Sequence, residues 1–316
     1  MSRPVAASIA LLSCLSLACH DTQLTCDGKH ADAECHSIVA GGATRVYLLH
    51  VPATYHAGNP LVIALHGTGQ LGPRLRDISQ LSLMADTLGF AIAYPNAVTD
   101  PLSGVAGWDV YFNTLGPNPP DDIGFLRELI TTLRAQLGAD QKRVYVVGLS
   151  NGGLMTHRVA VELSDLVAAV ADVAGTLATA ASIAEIPTPA HGVSVLMLHG
   201  DSDFTVPCCT LKSATTLDQT FDYWASARGD DCGAVSTTQN VCRDVETPDS
   251  LPSKRATGCR DGAEVQFYML FGGRHGWYQG PLNVAGEEGY NPFFADSIGT
   301  TMNDVIWHWF STHPKA

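Results

Sequence analysis

Short apolar runs recur along this chain, separated by segments whose apolar positions follow a helical period. Residues 61–65, Leu-Val-Ile-Ala-Leu, are apolar at every position. Such a run suits a strand covered on both faces, as in a mainly parallel sheet. Further strands are predicted at 45–51, ended by Pro52, at 90–94, stopped by Pro95-Asn96, and at 144–147, 166–173, 195–199 and 265–271. Helical spacing is found over 77–88, 122–137, 154–163, the 221–227 piece bearing Trp224, and a closing helix at 295–310. Strands alternating with helices predict a doubly wound, mostly parallel α/β sheet with helices on both sides. Residues 100–120, rich in Pro, Gly and Asn, read as a long loop near a functional face. Residues 229–262 carry three cysteines and many turn formers, and read as a disulfide-tied insertion before the last strand. Residues 20–42 read as a polar tether, and 43–316 as a single catalytic domain without internal repeats.

Composition adds the compartment. With 316 residues, 46% hydrophobic and 16% charged, the chain can bury a large core. A formal charge of −13 excludes nucleic acid and anionic membrane as electrostatic partners, because phosphates attract basic surfaces. Residues 1–19 have a basic start, an apolar run over 5–18 and small residues at the end, the form of an export signal too short to span a bilayer. Leu15-Ser16-Leu17-Ala18-Cys19 also resembles a bacterial lipoprotein box, with Ser16 in place of the usual leucine, so lipidation of Cys19 competes with plain cleavage beside Ala18. Either way the mature protein is expected outside the cytoplasm, secreted, periplasmic or on the outer surface. Membrane attachment would come only through a lipidated Cys19. Nine cysteines in an exported chain point to disulfides: Cys26 with Cys35, and two of Cys232, Cys242 and Cys259. A zinc site would need a Cys-x-x-Cys spacing that the sequence lacks, so no metal is expected.

The chemistry centres on Gly148-Leu149-Ser150-Asn151-Gly152, a Gly-x-Ser-x-Gly turn between a strand and a helix. This is the pattern of a nucleophile elbow, in which glycines make room for a serine held on a sharp turn. A serine hydroxyl is a weak nucleophile and needs a base, which in turn needs an acid to orient it. Working residues of a parallel sheet lie on loops at the carboxyl ends of strands. The strand ending at His199 leads into Asp201 and Asp203, and the strand ending at Phe271 leads into His275. The set Ser150, Asp203, His275 follows, with Asp201 as the rival acid; His199 and His308 read as packing residues. For the oxyanion, the two backbone donors expected are Asn151 and Thr68, with Gly69 the alternative on the loop after the 61–65 strand. That loop, Gly67-Thr68-Gly69-Gln70-Leu71-Gly72, also matches a dinucleotide fingerprint. The fingerprint requires an acidic residue closing the next strand, where Tyr94-Pro95-Asn96 stands, so no nucleotide cofactor is expected. Trp108, Phe204, Trp277 and Tyr278 lie on loops near this face and are candidate substrate walls.

Leu65-His66-Gly67, the 122–127 run, Gly148 to Met155, His199-Gly200-x-x-Asp203, Val206-Pro207 and Gly-Gly-x-His275-x-Trp277 agree in order and spacing with a known group. Over residues 45–310 the chain resembles the polyhydroxybutyrate depolymerase and feruloyl esterase group of secreted α/β-hydrolases. The resemblance implies the α/β-hydrolase fold, with Ser150 as nucleophile, Asp203 as acid and His275 as base. Cys208-Cys209, where the group often has an aromatic residue, and Tyr278, in place of a proline, depart from it. The expected activity is hydrolysis of phenolic or acetyl esters of polysaccharide, or of short polyesters, through an acyl-enzyme and without a cofactor. A peptidase or thioesterase on the same fold, or a non-catalytic surface lipoprotein, are the alternatives.

Overall fold

The computed structural model describes residues 25–28, 34–100, 103–111, 119–177, 183–207, 216–237, 253–282 and 301–316. In chain order these form β1 (Cys35–Ala40), β2 (Ala43–His50), β3 (Leu61–Leu65), α1 (Gly72–Ser79), α2 (Leu81–Leu88) and β4 (Ala91–Pro95). Then come the two-residue strands β5 (Val98–Thr99) and β6 (Ala106–Gly107), α3 (Asp122–Leu137), β7 (Val144–Leu149), α4 (Asn151–Glu162) and β8 (Ala169–Val173). The remainder is β9 (Ser194–Gly200), α5 (Leu217–Ala225), β10 (Ala234–Thr237), β11 (Ser253–Thr257), β12 (Val265–Leu270) and α6 (Met302–Thr312).

Ten strands make one sheet in the order β1-β2-β4-β3-β7-β8-β9-β12-β11-β10. From β4 to β12 every neighbour is parallel, and the strands outside them at both ends pair antiparallel. The uniformly apolar strands occupy the middle. β3, β4, β7, β8 and β9 are buried at every position. Alternation sends Leu61, Ile63 and Leu65 into one core with Phe125 of α3, Val159 of α4 and Phe221 of α5. Val62 and Ala64 face the other core, with Leu75 of α1, Leu81 of α2 and Ile306 of α6. Two cores back to back are why these runs carry no polar alternation. Among the described residues no helix is long and apolar enough to cross a membrane.

The structure departs from the sequence reading at several elements. Residues 35–40, expected within the polar tether, form the edge strand β1, anchored by the Cys26–Cys35 disulfide and by Asn96 Nδ2 donating to Cys26 O at 2.7 Å. The helix expected over 77–88 is two helices, because Pro73 starts one early and Gln80, at φ 56°, turns the chain between them. The insertion contributes β10 and β11 to the sheet, and Cys232 pairs with Cys259. A capping box between Thr301 and Asp304 starts α6 at Met302, and residues 295–300 of the expected closing helix lie outside the described residues. Cys242, Cys208, Cys209, the export signal and Cys19 lie outside the described residues.

A buried ion pair ties the sheet edge to the site. Arg45 Nη2 of β2 meets Asp122 Oδ1, at the start of α3, at 2.7 Å, and Asp122 Oδ2 accepts the Asp109 N–H at 2.8 Å. Both side chains are almost wholly buried. Removing one member of such a pair leaves a desolvated charge, so Asp122→Ala should lower unfolding free energy by about 3–5 kcal/mol. Urea denaturation checks this, and a loss below about 1 kcal/mol would contradict it.

Candidate active site

β7 ends at Leu149, and Ser150 then turns the chain into α4 with φ 58° and ψ −120°, a conformation costly for any residue with a side chain. The neighbouring glycines explain how it is reached. A Cβ on Gly148 would fall on Gly152 O, and a Cβ on Gly152 would fall on Leu65 O of β3. The Ser150 N–H is held by Val173 O of β8 at 2.8 Å. Among the described residues, the Ser150 hydroxyl has no hydrogen-bond partner.

Two strands further along, the loops after β9 and β12 are joined backbone to backbone. Asp201 N–H donates to Leu270 O at 3.1 Å and Ser202 N–H to Gly273 O at 3.0 Å. This contact brings His275 Nδ1 to 2.7 Å from Asp203 Oδ2. Asp203 Oδ1 accepts the N–H groups of Thr205 and Val206 at 2.8 and 2.9 Å. Burial pushes the Asp203 carboxyl up, but the bonds from His275 and the Val206 N–H outweigh it and hold the group below the usual carboxylate range. Asp201, the rival acid, accepts from the neighbouring Ser202 Oγ at 3.0 Å, its one side-chain partner among the described residues, and burial pushes it up. His199, expected to pack, is buried and also works on the acid loop: Nε2 donates to Val206 O at 2.7 Å. Burial lowers its basicity.

The loop after β3 lies against the serine, since a Cβ on Gly67 would stand 3.3 Å from Ser150 Cβ. Here the alternatives separate. Gly69 N–H is engaged with Ala106 O at 2.7 Å, while among the described residues Thr68 N–H has no acceptor. Asn151 N–H is one of the first four of α4, which have no intrahelical acceptor. His66, just before this loop, is wholly buried: Nε2 accepts the Ala97 N–H at 3.0 Å, so Nδ1 carries the proton and donates to Gly67 O at 2.8 Å.

The candidate walls divide. Phe204 is 89% exposed, next to Asp203. Trp277 and Tyr278 are half-buried beside His275, Trp277 donating to Asn303 Oδ1 at 2.9 Å and Tyr278 to Arg274 O. Trp108 is a correction: at 0% exposure it offers no surface to a substrate, because its indole is drawn inward by His66 O at 2.9 Å. A cavity of about 310 Å³ lined by residues such as Arg255, Glu264 and His313 sits at the other, amino-terminal edge of β9 and β12, with Arg255 and Glu264 paired at 2.6 Å. It is no part of this site. Among the described residues, no group of three His, Cys, Asp or Glu side chains could hold a metal ion.

Sequence reading missed one buried chain beneath the elbow helix. Trp224 Nε1–H donates to His157 Nδ1 at 3.1 Å, and His157 Nε2–H donates to Asp172 Oδ2 at 3.0 Å. Nothing in the spacing of residues 157, 172 and 224 announces it.

A parallel sheet with a strained serine elbow after one strand and a hydrogen-bonded Asp–His pair after two later ones defines an α/β-hydrolase. A sequence model described as esterase PHB depolymerase matches residues 45–200. NocK of Nocardia uniformis subsp. tsuyamanensis, whose name assigns it to the esterases, is 30% identical over 270 residues, 78% of this chain and 74% of NocK. Poly(3-hydroxyalkanoate) depolymerase C of Paucimonas lemoignei is 27% identical over 256 residues, 72% of this chain and 57% of the depolymerase. The solved acetyl xylan esterase from Aspergillus awamori shares the fold, with TM-score 0.58 and 18% identity over 88% of this chain and 98% of that one. The chain belongs to the α/β-hydrolase esterases of the PHB depolymerase group and is a carboxylic-ester hydrolase.

Burial pushes the His66 imidazole down to about 4. Folded His66 therefore stays neutral while its unfolded counterpart takes up a proton near pH 6.5, and the stability that His66 contributes above that pH is lost as pH falls toward about 4. Unfolding free energies from urea denaturation between pH 7 and 4 should fall more steeply in wild type than in His66→Gln, by up to about 1.4 kcal/mol per pH unit. Parallel curves would contradict this.

Proposed function

We propose that this chain is an exported serine esterase. Ser150 attacks an ester carbonyl, His275 takes the serine proton and delivers it to the leaving alcohol, and Asp203 holds the imidazole and stabilises its charged form. Water then releases the acyl group, with His275 again as base. The N–H groups of Asn151 and Thr68 receive the negative charge on the carbonyl oxygen, helped by the positive end of α4. The observation that carries this reading is the Asp203–His275 hydrogen bond of 2.7 Å on the same sheet edge as the Ser150 turn. A non-catalytic role would leave that strained turn and that oriented histidine without a purpose.

The substrates proposed are phenolic, feruloyl-type or acetyl esters of polysaccharide, or short hydroxybutyrate polyesters. The exposed Phe204, with Trp277 and Tyr278, gives the site an aromatic rim suited to an ester borne on a polymer. Export is supported by the apolar run over 5–18 and by the two disulfides, which persist in oxidising compartments. Mass measurement of the mature amino terminus separates a lipidated Cys19 from plain cleavage beside Ala18.

Ser150→Ala should lower kcat/KM on 4-nitrophenyl acetate by at least about 10⁴-fold while leaving the folded protein's circular dichroism unchanged. A variant as active as wild type, or a wild type that hydrolyses no ester, would contradict the proposal. Methyl ferulate, acetylated xylan and hydroxybutyrate oligomers, assayed side by side, then rank the substrate classes.

A further inference from the structure

We propose that Trp108 is a positioning residue that sets the two oxyanion donors relative to each other. The inference rests on the acyl-transfer reading of Ser150 given above.

The peptide bearing the Thr68 N–H has Gly67 O at its other end. That oxygen accepts from His66 Nδ1 at 2.8 Å and from Gln70 N–H at 3.1 Å. Because a trans peptide points its N–H opposite its C=O, these two bonds decide where the Thr68 N–H is aimed. The peptide bearing the Asn151 N–H is fixed in the same way, by Leu154 N–H donating to Ser150 O at 2.9 Å. Each donor is thus oriented within its own element. What remains is the distance between the elements, one at the end of β3 and one at the start of α4.

Trp108 spans that gap. Its indole N–H donates to His66 O at 2.9 Å, its backbone N–H donates to Asn151 Oδ1 at 2.7 Å, and its carbonyl accepts from Asn151 Nδ2 at 3.4 Å. Two residues earlier, Ala106 O accepts the Gly69 N–H at 2.7 Å, and the Trp108 and His66 rings lie 5.2 Å apart. The segment is itself immobilised from behind. Asp109 N–H is held by Asp122 Oδ2 at 2.8 Å, and Arg158 of α4 donates to Asp109 O at 2.7 Å and Oδ2 at 2.6 Å. The side chain of Asn151 therefore serves as a clamp on Trp108, leaving its backbone N–H for the reaction. An indole is a donor only and, once buried, needs an acceptor; here the acceptor is the carbonyl just ahead of the donor loop.

Trp108→Phe deletes the indole N–H and keeps most of the ring. Active sites are counted by fluorophosphonate titration, so that loss of folded protein is not read as loss of rate. The test compares 4-nitrophenyl acetate with its thionoacetate analogue, whose sulfur is a poor hydrogen-bond acceptor and gains little from the two N–H groups. The variant should lose about 10- to 100-fold in kcat on the oxygen ester with KM changed less than about threefold, since a small misplacement of preorganised donors costs on that scale. The thionoester rate should change little, so the ester-to-thionoester ratio should fall at least about tenfold. Asn151→Ala, which removes the other attachment, should give the same pattern, and the double variant less than the product of the two. It decides alone if Trp108→Phe does not fold. An unchanged ratio per titrated site, or a raised KM at unchanged kcat, would overturn the positioning role while leaving Ser150 as nucleophile. A wild type that the fluorophosphonate does not label would overturn the acyl-transfer reading itself.

Discussion

The structure turns on a steric constraint at one residue. Ser150 occupies a strained positive-φ backbone conformation because β7, α4 and the end of β3 converge where Gly148 and Gly152 leave no side chain between them. Such a conformation costs on the order of 1–3 kcal/mol and persists only where its surroundings over-determine it. They do so here through the Val173 carbonyl on the serine N–H, the carbonyl of Leu65 packed on Gly152, and two buried cores that fix the strands on either side. Relaxing the turn would move the serine, the first N–H groups of α4 and the loop after β3 together.

The same convergence sets the environment of charge. Asp172 stands on β8 beside the elbow, its Oδ1 against Gly153 and Gly175, where neither residue could carry a Cβ. His157 and Trp224 continue inward from its other oxygen. On the acid side, Asp203 receives two backbone N–H groups and a histidine, so the carboxylate is fixed before any substrate arrives. His275 is less confined, between Arg274 and Gly276 on a half-exposed loop. Under the proposed mechanism, a fixed Asp203 and Ser150 with a less confined His275 would suit a base that must pass one proton in two directions.

Features that depend on local pattern were legible in the sequence. The apolar run at 61–65 and the Gly-x-Ser-x-Gly turn each encode their element directly, through burial on two faces and through steric room. The placing of Asp203 and His275 on neighbouring loops, now 2.7 Å apart, followed from where strands end, and the Cys26–Cys35 pairing from proximity along the chain. What depends on tertiary partners was not legible. Residues 35–40 look like linker because an edge strand needs only one neighbour, and the neighbour is β2. Trp108 looked like a wall because a tryptophan on a loop usually is exposed; its burial comes from the His66 carbonyl and the Asn151 side chain, 42 and 43 residues away. Asp201 and Asp203 are indistinguishable by composition, and the contact between two loops 70 residues apart separates them.

The most direct test of the account is to trap the acyl-enzyme. Protein mixed with excess 4-nitrophenyl acetate and acid-quenched within the first turnover should gain one acetyl mass, and peptide mapping should find it on Ser150. In His275→Ala the adduct should form far more slowly. Turnover of the ester with no adduct on Ser150, or an adduct on another residue that accounts for the rate, would contradict it.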